Sequence, residues 1–397
     1  MEHRYDYLIV GGGMSADAAA KAIRQHDAEA RIGIVGTETR PPYERPPLSK
    51  ALWKGDKAVD SVDLATATSG ATLHLGRRVE SLDRVEHVVR DAQGDAYRYA
   101  KLLLATGAEP RRLPMPASER VIHFRTLDDY LALRRYAAPG AHIGVVGGGF
   151  IGSELAASLA GAGCKVTMLF PGESIGAGRF PATLAEFVDA YFCERGVELS
   201  PGVKVADGHA LSDGVELALS DGTTRRFDAV VAGLGVVPNV ALAERAGLTV
   251  DNGIVVDGRL ASSDPDVFAA GDVANFHNAA LGMRLRVEHE NAAISMGHHA
   301  GRAMTGAHDI YTTLPFFYSD LFDLGYEAVG LLDARFDVVE QWTVPYRESV
   351  VYYLDAGRVR GVLLWNTWGQ VEAARDLVAE PGPFDAENVR GRLPRLA

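Results

Sequence analysis

Residues 7–16 read YLIVGGGMSA, and residues 143–152 read IGVVGGGFIG. In each stretch a short apolar run leads into a glycine-rich turn and then into a helix-compatible segment rich in alanine. The first glycine of such a turn allows a tight bend, the second lets the backbone approach a pyrophosphate, and the third position must be small for helix and strand to pack. The following helix offers N–H groups to phosphates. Two such turns, 136 positions apart, predict two dinucleotide sites and electron transfer between them.

The composition is typical of an acidic, multidomain α/β protein. A chain of 397 residues exceeds what one core usually supports, so we expect two or three domains. The net charge of −12 argues against general affinity for nucleic acid. The chain has two cysteines, no signal-peptide pattern and no apolar run of about 20 residues. These features predict a cytoplasmic protein with no membrane span, and we expect no metal site.

The first third of the chain should contain a strand–helix–strand unit followed by an irregular loop. Residues 5–40 fit this unit, and Glu38 lies just beyond its second strand, where a carboxylate can bind an adenosine ribose. The proline-rich segment 41–50 cannot form a regular helix, so we expect a rigid, extended loop. Short alternating runs follow at 72–75 and 85–89, and the pattern predicts a buried strand at 102–104.

A second α/β unit begins near Ile143. We expect its helix over 152–160, its next strand over 165–170, hairpins around 203–227 and buried strands near 229–235 and 267–272. The remaining part of the chain is aromatic and β-rich. It predicts a small sheet that includes 343–351 and 352–365, followed by a helix near 371–379.

The order of the motifs identifies a family resemblance. The strings GGGMSA, RPPLSK, LLLATGA, GGGFIGSE, GLGVVPN and VFAAGDVA resemble those of the FAD-dependent pyridine nucleotide oxidoreductases over roughly residues 5–310. The RPPLSK loop is similar to that of the ferredoxin and rubredoxin reductase branch. The strings LFP, VEH, GYEA and LWN look closer still to those of bacterial relatives of apoptosis-inducing factor.

This resemblance implies a fold class and a division into domains. The fold is expected to be α/β and glutathione reductase-like, with two Rossmann-like dinucleotide-binding domains and a small α+β C-terminal domain. The FAD-binding domain would be discontinuous, at 1–110 and 239–310. Residues 111–238 would form an inserted NAD-binding domain, and residues 311–397 a C-terminal interface domain.

The resemblance also implies which residues bind the cofactors. Asp272 would hydrogen-bond the ribityl and phosphate region of FAD, while Arg45, Pro46 and Lys50 would border the isoalloxazine ring. The remaining FAD contacts would come from Gly11, Gly13, Ser15, Ala16, Glu38, Val79, Ala105, Thr106, Gly107, Gly271, Glu288 and His289. Contacts with NAD would come from Gly147, Gly149, Phe150, Ile151, Gly152, Glu154, Glu173 and Gly235.

Three residues are expected to serve catalysis, namely Lys50, Glu154 and Phe150. The resemblance places the Lys50 ammonium near flavin N5 with Glu154 opposite it. Because a buried lysine without a partner tends to lose its proton, Glu154 would keep Lys50 charged and able to stabilise a reduced, anionic flavin. Phe150 would lie against the nicotinamide side of the flavin. Two unrelated surface charges and an ordinary core aromatic are the alternative interpretations.

Two aromatic residues of the C-terminal region, Tyr318 and Trp365, are further candidates. Related enzymes often carry Trp in a Phe-Trp-Ser-Asp string, whereas residues 317–320 read FYSD here. Tyr318 is smaller than Trp and carries a hydroxyl group, so stacking against the flavin or nicotinamide would differ. Trp365 either approaches the ring or packs in a core, and His289 either lies near the flavin pyrimidine edge or is structural.

The expected nicotinamide cofactor is NADH, with NADPH less favoured. An acid after the second strand of the NAD-binding domain accepts ribose hydroxyls and repels a 2′-phosphate. Residues 170–174 read FPGES, with no basic residue before Arg179. Because the acid of apoptosis-inducing factor aligns with Gly172, Glu173 would have to take its place.

The absence of certain residues narrows the reaction. Disulphide reductases of this superfamily need a cysteine pair near the 41–50 loop, and peroxidases need one cysteine there, but the loop contains none. Hydride from NADH would therefore pass to FAD, and electrons would leave directly for an external ferredoxin or rubredoxin. The alternatives are a redox-gated binding protein like apoptosis-inducing factor, a monodehydroascorbate-type reductase, and a quinone or oxygen reductase. The protein is expected to be a monomer or a homodimer.

Overall fold

The computed structural model describes residues 1–394 and divides into two compact units. Unit 1 consists of Met1–Glu44, Asp60–Glu109 and Val237–Pro315. Unit 2 consists of Arg45–Val59, Pro110–Val236 and Phe316–Ala397, of which the last three residues lie outside the described part. The proline-rich loop is therefore divided: residues 41–44 belong to unit 1, and residues 45–50 belong to the unit that contains the second glycine turn. The division into three domains stays a prediction.

The helices are short to medium in length. Among the described residues, none is long and apolar enough to cross a membrane. The α-helices are α1 (Met14–His26), α2 (Ala51–Lys54), α3 (Leu127–Arg134), α4 (Phe150–Gly161), α5 (Ala182–Glu194), α6 (Ala241–Arg245), α7 (Glu290–Met304) and α8 (Val371–Ala379). Single 3-10 turns occur at Pro46–Ser49, Val59–Val62, Thr66–Ser69 and Gly271–Val273.

Residues 1–201 contain the first eleven strands. They are β1 (Glu2–Val10), β2 (Ile32–Val35), β3 (Thr72–His74), β4 (Val79–Asp83), β5 (Val88–Asp91), β6 (Ala96–Leu104), β7 (Ala108–Pro110), β8 (Val121–His123), β9 (His142–Val146), β10 (Lys165–Phe170) and β11 (Val197–Pro201).

The strands of the second half are mostly arranged in antiparallel sheets. They are β12 (Val205–Ala210), β13 (Val215–Leu219), β14 (Thr224–Phe227), β15 (Ala229–Ala232), β16 (Val236–Pro238), β17 (Ile254–Val255), β18 (Val267–Ala269), β19 (Ala274–Asn278), β20 (Met283–Leu285), β21 (Phe316–Leu321), β22 (Leu324–Gly330), β23 (Asp337–Val344), β24 (Glu348–Asp355) and β25 (Arg358–Trp365).

Unit 1 is built around a sheet of order β3-β2-β1-β6-β5-β4, in which β18 also pairs with β6. Val10 lies in register with Val35 on β2 and with Leu104 on β6, and all three strands are parallel. Parallel strands whose carboxyl ends meet at one edge form a ligand-binding crevice there. The first glycine turn begins at this edge, directly after Val10.

Helices α1 and α7 pack closely in unit 1 because α7 presents glycines to α1. A Cβ added at Gly297 would lie 2.4 Å from the Ser15 carbonyl oxygen, and one at Gly301 would lie 2.6 Å from that of Ala19. No residue with a side chain fits these two positions without displacing backbone. The close packing buries the start of α1, the helix that follows the first glycine turn.

Unit 2 contains a fully parallel sheet of order β11-β10-β9-β15-β8. Five of the six residues of β10 are buried, as expected for a strand covered on both faces. The antiparallel sheet β12-β13-β14 packs on it through a core that includes Leu169, Leu217 and Phe227. A third sheet, β21-β22-β25-β24-β23, is antiparallel and carries α8.

Most predicted elements are confirmed, and three details are wrong. Residues 85–89 do not form one strand, because a four-residue turn separates β4 from β5 and His87 has φ +50°. The run 343–365 contains two turns that divide it between β23, β24 and β25. The 41–50 loop is not extended throughout, because Pro46–Ser49 form a 3-10 turn. Proline suits the start of such a turn, since its φ is fixed near the helical value and its missing N–H needs no partner there.

Candidate functional site

The first glycine turn has a backbone geometry that requires glycine. Gly11 has φ +127°, and a Cβ there would lie 2.0 Å from the Ala105 carbonyl oxygen. Gly13 is the N-cap of α1, with extended backbone and no side-chain cap. A Cβ at Gly13 would meet no atom within 4 Å. The turn is therefore tightly held at Gly11 and open at Gly13, where a phosphate would approach the helix N-terminus.

Other predicted FAD residues surround this turn within unit 1. Gly271 follows β18 with φ +75°, and a Cβ there would lie 2.4 Å from Ser15 Oγ. Asp272 is 9% exposed, and its carbonyl oxygen accepts a hydrogen bond of 3.1 Å from Arg286. Arg286 also binds the Glu288 carboxylate at 2.7 Å. The structure thus links Asp272 to Glu288 through an arginine that the sequence did not single out.

The ends of the neighbouring strands supply further candidate contacts. The Tyr43 hydroxyl group donates a hydrogen bond of 2.5 Å to Glu38, which comes three residues after β2. Thr106 and Asn239 are joined reciprocally, since Thr106 Oγ1 donates to the Asn239 carbonyl oxygen at 2.9 Å and Asn239 Nδ2 donates back at 2.8 Å. These bonds fix the Ala105–Gly107 turn after β6. His289 is the N-cap of α7, and Val79 begins β4.

The second glycine turn, in unit 2, repeats the geometry of the first. Gly147 has φ +124°, and a Cβ there would lie 2.3 Å from the Gly233 carbonyl oxygen. Gly149 is the N-cap of α4 without a side-chain cap, and a Cβ there would meet nothing within 4 Å. At Gly152 a Cβ would lie 2.0 Å from the Gly147 carbonyl oxygen. Ile151 is 39% exposed.

The loop 171–180 lies over this second turn. The Gly176 N–H donates a hydrogen bond of 3.1 Å to the Gly148 carbonyl oxygen. Glu173 lies on this loop and is exposed to solvent. The Arg179 guanidinium stacks on the Phe150 ring at 4.6 Å, and the Phe317 ring contacts the same side chain at 4.8 Å. Phe150 is therefore held in place by contacts with an arginine and with an aromatic ring.

Lys50 and Glu154 form a buried ion pair. Lys50 Nζ lies 2.8 Å from Glu154 Oε1, and the two side chains are 10% and 3% exposed. The Ser49 hydroxyl group donates to Glu154 Oε2 at 2.6 Å, and the Ser319 hydroxyl group donates to Oε1 at 2.6 Å. A buried charge needs a partner and hydrogen bonds, and Glu154 has both. The interpretation of Lys50 and Glu154 as unrelated surface charges is wrong.

The loop that carries Lys50 is fastened to α4 at Ser49. The Ser158 hydroxyl group donates a hydrogen bond of 2.7 Å to the Ser49 carbonyl oxygen, while Glu154 accepts the Ser49 hydroxyl group. Residues four apart lie on the same face of a helix. Glu154 therefore binds the hydroxyl group of Ser49 while Ser158 binds its carbonyl oxygen. Ser49 lies within the quoted RPPLSK motif, but a sequence gives no sign that its hydroxyl group faces α4.

The C-terminal aromatics occupy different environments. The Tyr318 ring centroid lies 5.1 Å from Lys50 Nζ, so the ammonium has an aromatic face beside it. Trp365 is fully buried, stacks on Tyr326 at 5.9 Å and donates a hydrogen bond to the Tyr346 carbonyl oxygen. Trp365 is placed as a core side chain, whereas Tyr318 lies beside the ion pair.

The other candidates of unit 2 lie on its loops. Arg45 precedes the 3-10 turn and donates a hydrogen bond of 3.0 Å to the Arg125 carbonyl oxygen, while Pro46 begins the turn. Gly235 is exposed with φ +76° and accepts a hydrogen bond from the Arg111 N–H. These contacts fix the backbone of both loops.

The two cysteines lie outside the 41–50 loop. Cys164 is buried, whereas Cys193 is exposed. Cys164 and Cys193 are free among the described residues. Burial raises the pKa of both thiols, which disfavours the nucleophilic thiolate. Within residues 1–394, no group of three or more potential metal ligands is placed to hold a metal ion.

The residues present fit two dinucleotides. Each glycine turn lies at the carboxyl ends of neighbouring parallel strands and is open where a side chain would block a phosphate. Each turn leads into a helix whose N-cap carries no competing side chain. Unit 1 adds the nearly buried Asp272, and unit 2 adds the Lys50–Glu154 pair.

The chain is similar to known proteins in sequence and fold. Residues 5–297 match the protein family described as pyridine nucleotide-disulphide oxidoreductase. The chain is 34% identical to the anthranilate 1,2-dioxygenase system ferredoxin--NAD(+) reductase component of Burkholderia cepacia, over 94% of both chains. It is 32% identical to the mitochondrial apoptosis-inducing factor 1 of Dictyostelium discoideum, over 95% of this chain and 80% of that one. A chain of the covalent putidaredoxin reductase–putidaredoxin complex has a similar fold, with a TM-score of 0.89, 30% identity, and coverage of 95% of this chain and 93% of that one.

Proposed function

Because the chain belongs to the pyridine nucleotide-disulphide oxidoreductase family, we propose that it is an FAD-dependent NADH oxidoreductase that passes electrons to a ferredoxin or a rubredoxin. The observation that carries this proposal is the Lys50–Glu154 pair. Disulphide reductases that resemble this chain use cysteines near the 41–50 loop, whereas this loop presents a lysine held by a carboxylate. Electrons would therefore leave the site for an external acceptor rather than for a protein disulphide.

In this proposal unit 1 binds FAD. The N–H groups at the start of α1 would receive its pyrophosphate beside Gly13, and Glu38 would accept hydrogen bonds from the adenosine ribose. The Asp272 carboxylate, nearly buried after β18, would accept hydrogen bonds from the ribityl region. Bound FAD would supply the chemistry that connects a two-electron donor to one-electron carriers.

Unit 2 would bind NADH and provide the charge that favours electron transfer. The N–H groups at the start of α4 would receive the NADH pyrophosphate, and Phe150 would position the nicotinamide. Lys50 would be held in place by the Glu154 carboxylate, which lies 2.8 Å away. A fixed ammonium group favours the electron-rich state of whatever it faces, and a buried position strengthens this effect.

The finer assignments belong to the same proposal. The FAD-binding domain is assigned to 1–110 and 239–310, the NAD-binding domain to 111–238 and the interface domain to 311–397.

NADH is preferred to NADPH because Glu173 would repel a 2′-phosphate. The protein is assigned to the cytoplasm as a monomer or homodimer. Ferredoxins are the first acceptors to test, since the Burkholderia cepacia relative is named as a ferredoxin--NAD(+) reductase component.

A direct experiment measures whether reduced enzyme passes electrons to small iron–sulfur proteins. Purified protein is reconstituted with FAD, and bleaching of the flavin by NADH is followed without air. The reduced protein is then mixed with ferredoxins, rubredoxin, quinones or oxygen in turn. We expect fast bleaching and NADH-dependent reduction of cytochrome c that requires added ferredoxin or rubredoxin.

Two results would overturn parts of the proposal. Protein that stays colourless, or a flavin that NADH does not bleach, would overturn the whole assignment. Fast bleaching followed by slow oxidation with every carrier would replace the reductase by a redox-gated binding protein. The redox-gated binding protein is the alternative function to test, because the chain is similar to apoptosis-inducing factor 1.

A further inference from the structure

The Glu154 carboxylate accepts one hydrogen bond that comes from outside the Lys50 loop and α4. Ser319 lies on β21, is fully buried, and donates to Oε1, the oxygen that also binds Lys50. Its bond of 2.6 Å is as short as the one from Ser49 to Oε2. Hydrogen bonds to a charged acceptor are short and strong. Ser319 and Lys50 therefore share one oxygen, while Ser49 fixes the other.

Ser319 is itself connected to a fully buried tyrosine. Tyr326 lies directly opposite Ser319 in the register of β21 and β22, so the two side chains are neighbours on one face of the sheet. The Ser319 side chain interacts with the Tyr326 hydroxyl group and lowers its pKa, but two other effects oppose this. Burial, followed by the nearby charge of Glu154, raises the pKa of Tyr326, so its hydroxyl group keeps its proton.

The chemistry of these side chains decides which of them donates a hydrogen bond. An ionised carboxylate can only accept, so Ser319 must donate its single proton to Glu154. The lone pairs of Ser319 are not used by this bond, and the protonated Tyr326 hydroxyl group belongs to the residue directly opposite Ser319 in the sheet. The Tyr326 ring is held in turn by Trp365, which stacks on it, and by Phe180, whose ring meets it edge-on at 5.4 Å. The carboxylate is thereby tied to a rigid aromatic core.

We propose that Ser319, supported by Tyr326, is a positioning residue that fixes the Glu154 carboxylate and, through it, the Lys50 ammonium group. The proposal rests on the proposed function, because its consequence is a change in how strongly the flavin accepts electrons. Without Ser319, Oε1 loses a donor and the carboxylate can rotate about its last bond. The ammonium group then follows Glu154 or moves towards the Tyr318 ring 5.1 Å away.

The same sheet contains a matched control for this serine. Ser349 lies on β24 and is also fully buried, but among the described residues its hydroxyl group has no hydrogen-bond partner. Removing an unsatisfied hydroxyl group is close to neutral for stability. Ser349→Ala therefore reproduces the loss of one buried serine hydroxyl group from this sheet, without any loss of contact to Glu154.

The experiment compares Ser319→Ala with Ser349→Ala in FAD-loaded protein. We expect Ser319→Ala to lower the flavin midpoint potential and to slow bleaching by NADH about tenfold, with KM for NADH unchanged within about twofold. Ser349→Ala should match wild type in all three quantities. Tyr326→Phe, which keeps the ring, should also lower the midpoint potential and should slow bleaching by about threefold.

A double-variant cycle tests whether Ser319 acts through the ion pair. In the Lys50→Met background, Ser319→Ala should slow bleaching by less than about twofold, because the group it positions has been removed. If Ser319→Ala fails to fold, Tyr326→Phe carries the same test in both backgrounds. Potentials and rates equal to those of Ser349→Ala, or an undiminished effect in the Lys50→Met background, would overturn the positioning role.

The failure of this proposal can be distinguished from that of the proposed function. Wild-type protein that binds FAD and is bleached by NADH, together with a silent Ser319→Ala, would remove only the role of Ser319. Wild-type protein that NADH does not bleach would overturn both. A lower potential in Ser319→Ala and Tyr326→Phe, absent in Ser349→Ala, would support the role independently of turnover.

Discussion

The two glycine turns share one backbone and differ in the side chains that follow. Gly11 and Gly147 have φ values of +127° and +124°, and each faces the carbonyl oxygen at the end of a neighbouring strand. Gly13 and Gly149 are both open. Beyond them the similarity ends, because the position of Met14 and Ala18 in the first helix is taken by Phe150 and Glu154 in the second.

In the proposed function, α1 only binds a cofactor, whereas α4 also takes part in the reaction. The start of α1 is packed against the glycines of α7 and offers no charged group at the fifth position. The start of α4 carries a buried carboxylate that holds Lys50, an aromatic ring under an arginine, and a partly exposed Ile151. In the proposed function, the backbone of each turn binds a dinucleotide. The residues after the turn would then decide whether the helix only retains a cofactor or also participates in the reaction.

The largest expected effect tests the shared backbone itself. Gly11→Ala puts a Cβ 2.0 Å from a carbonyl oxygen at positive φ, so the free energy of unfolding should fall by more than about 3 kcal/mol and FAD should be lost. Gly94→Ala also has positive φ but open space, and should cost about 1 kcal/mol. Urea unfolding and the flavin-to-protein absorbance ratio measure both effects. Equal losses in the two variants would mean that the close contact at Gly11 does not matter.

The sequence predicts well the glycine turns and the strands and helices that are local in the chain. The turns, β1, β9, β10, α4 and α8 were placed within a few residues, because apolar runs, glycines and helix patterns are local signals. The pairing of Lys50 with Glu154 is inferred from the family resemblance. In the structure, Lys50 Nζ lies 2.8 Å from Glu154 Oε1.

The partners of this pair could not be predicted, because their contacts are non-local. Ser49 and Glu154 are 105 positions apart, and Ser319 and Glu154 are 165 apart. No sequence pattern indicates which serine hydroxyl group faces a buried carboxylate. The 3-10 turn at Pro46–Ser49 was missed because the prolines were interpreted only as helix breakers, although the same fixed φ suits a single tight turn.

The next largest effect concerns the Lys50 ammonium group, which pairs with Glu154 on the second helix. Lys50→Met removes the ammonium group but keeps the chain length, so flavin bleaching by NADH should slow about 100-fold and the midpoint potential should fall. Lys54→Met changes an exposed lysine four residues later and should behave as wild type. Rapid-mixing kinetics and equilibrium reduction measure the two quantities. An unchanged potential in Lys50→Met would show that the two helices do not differ in this function.

A smaller effect should show which turn serves which cofactor. Gly149→Ala adds a methyl group in open space, so stability should change by less than about 0.5 kcal/mol while KM for NADH rises about tenfold. FAD should remain bound. Gly13→Ala makes the same change in the first turn and should instead weaken FAD binding by about tenfold. Flavin release from Gly149→Ala, or a raised KM alone in Gly13→Ala, would reverse the assignment of the turns.

The smallest expected effect concerns the choice of nicotinamide at the second turn. Glu173 is exposed on the loop over this turn, so its charge acts through solvent and should discriminate only weakly. Glu173→Ala should reduce the ratio of kcat/KM for NADH to that for NADPH by about threefold. Glu186→Ala, an exposed glutamate on α5, should leave the ratio unchanged. A wild-type preference for NADPH would contradict the choice of NADH, whereas an unchanged ratio in Glu173→Ala would move the source of discrimination to the backbone near Gly172.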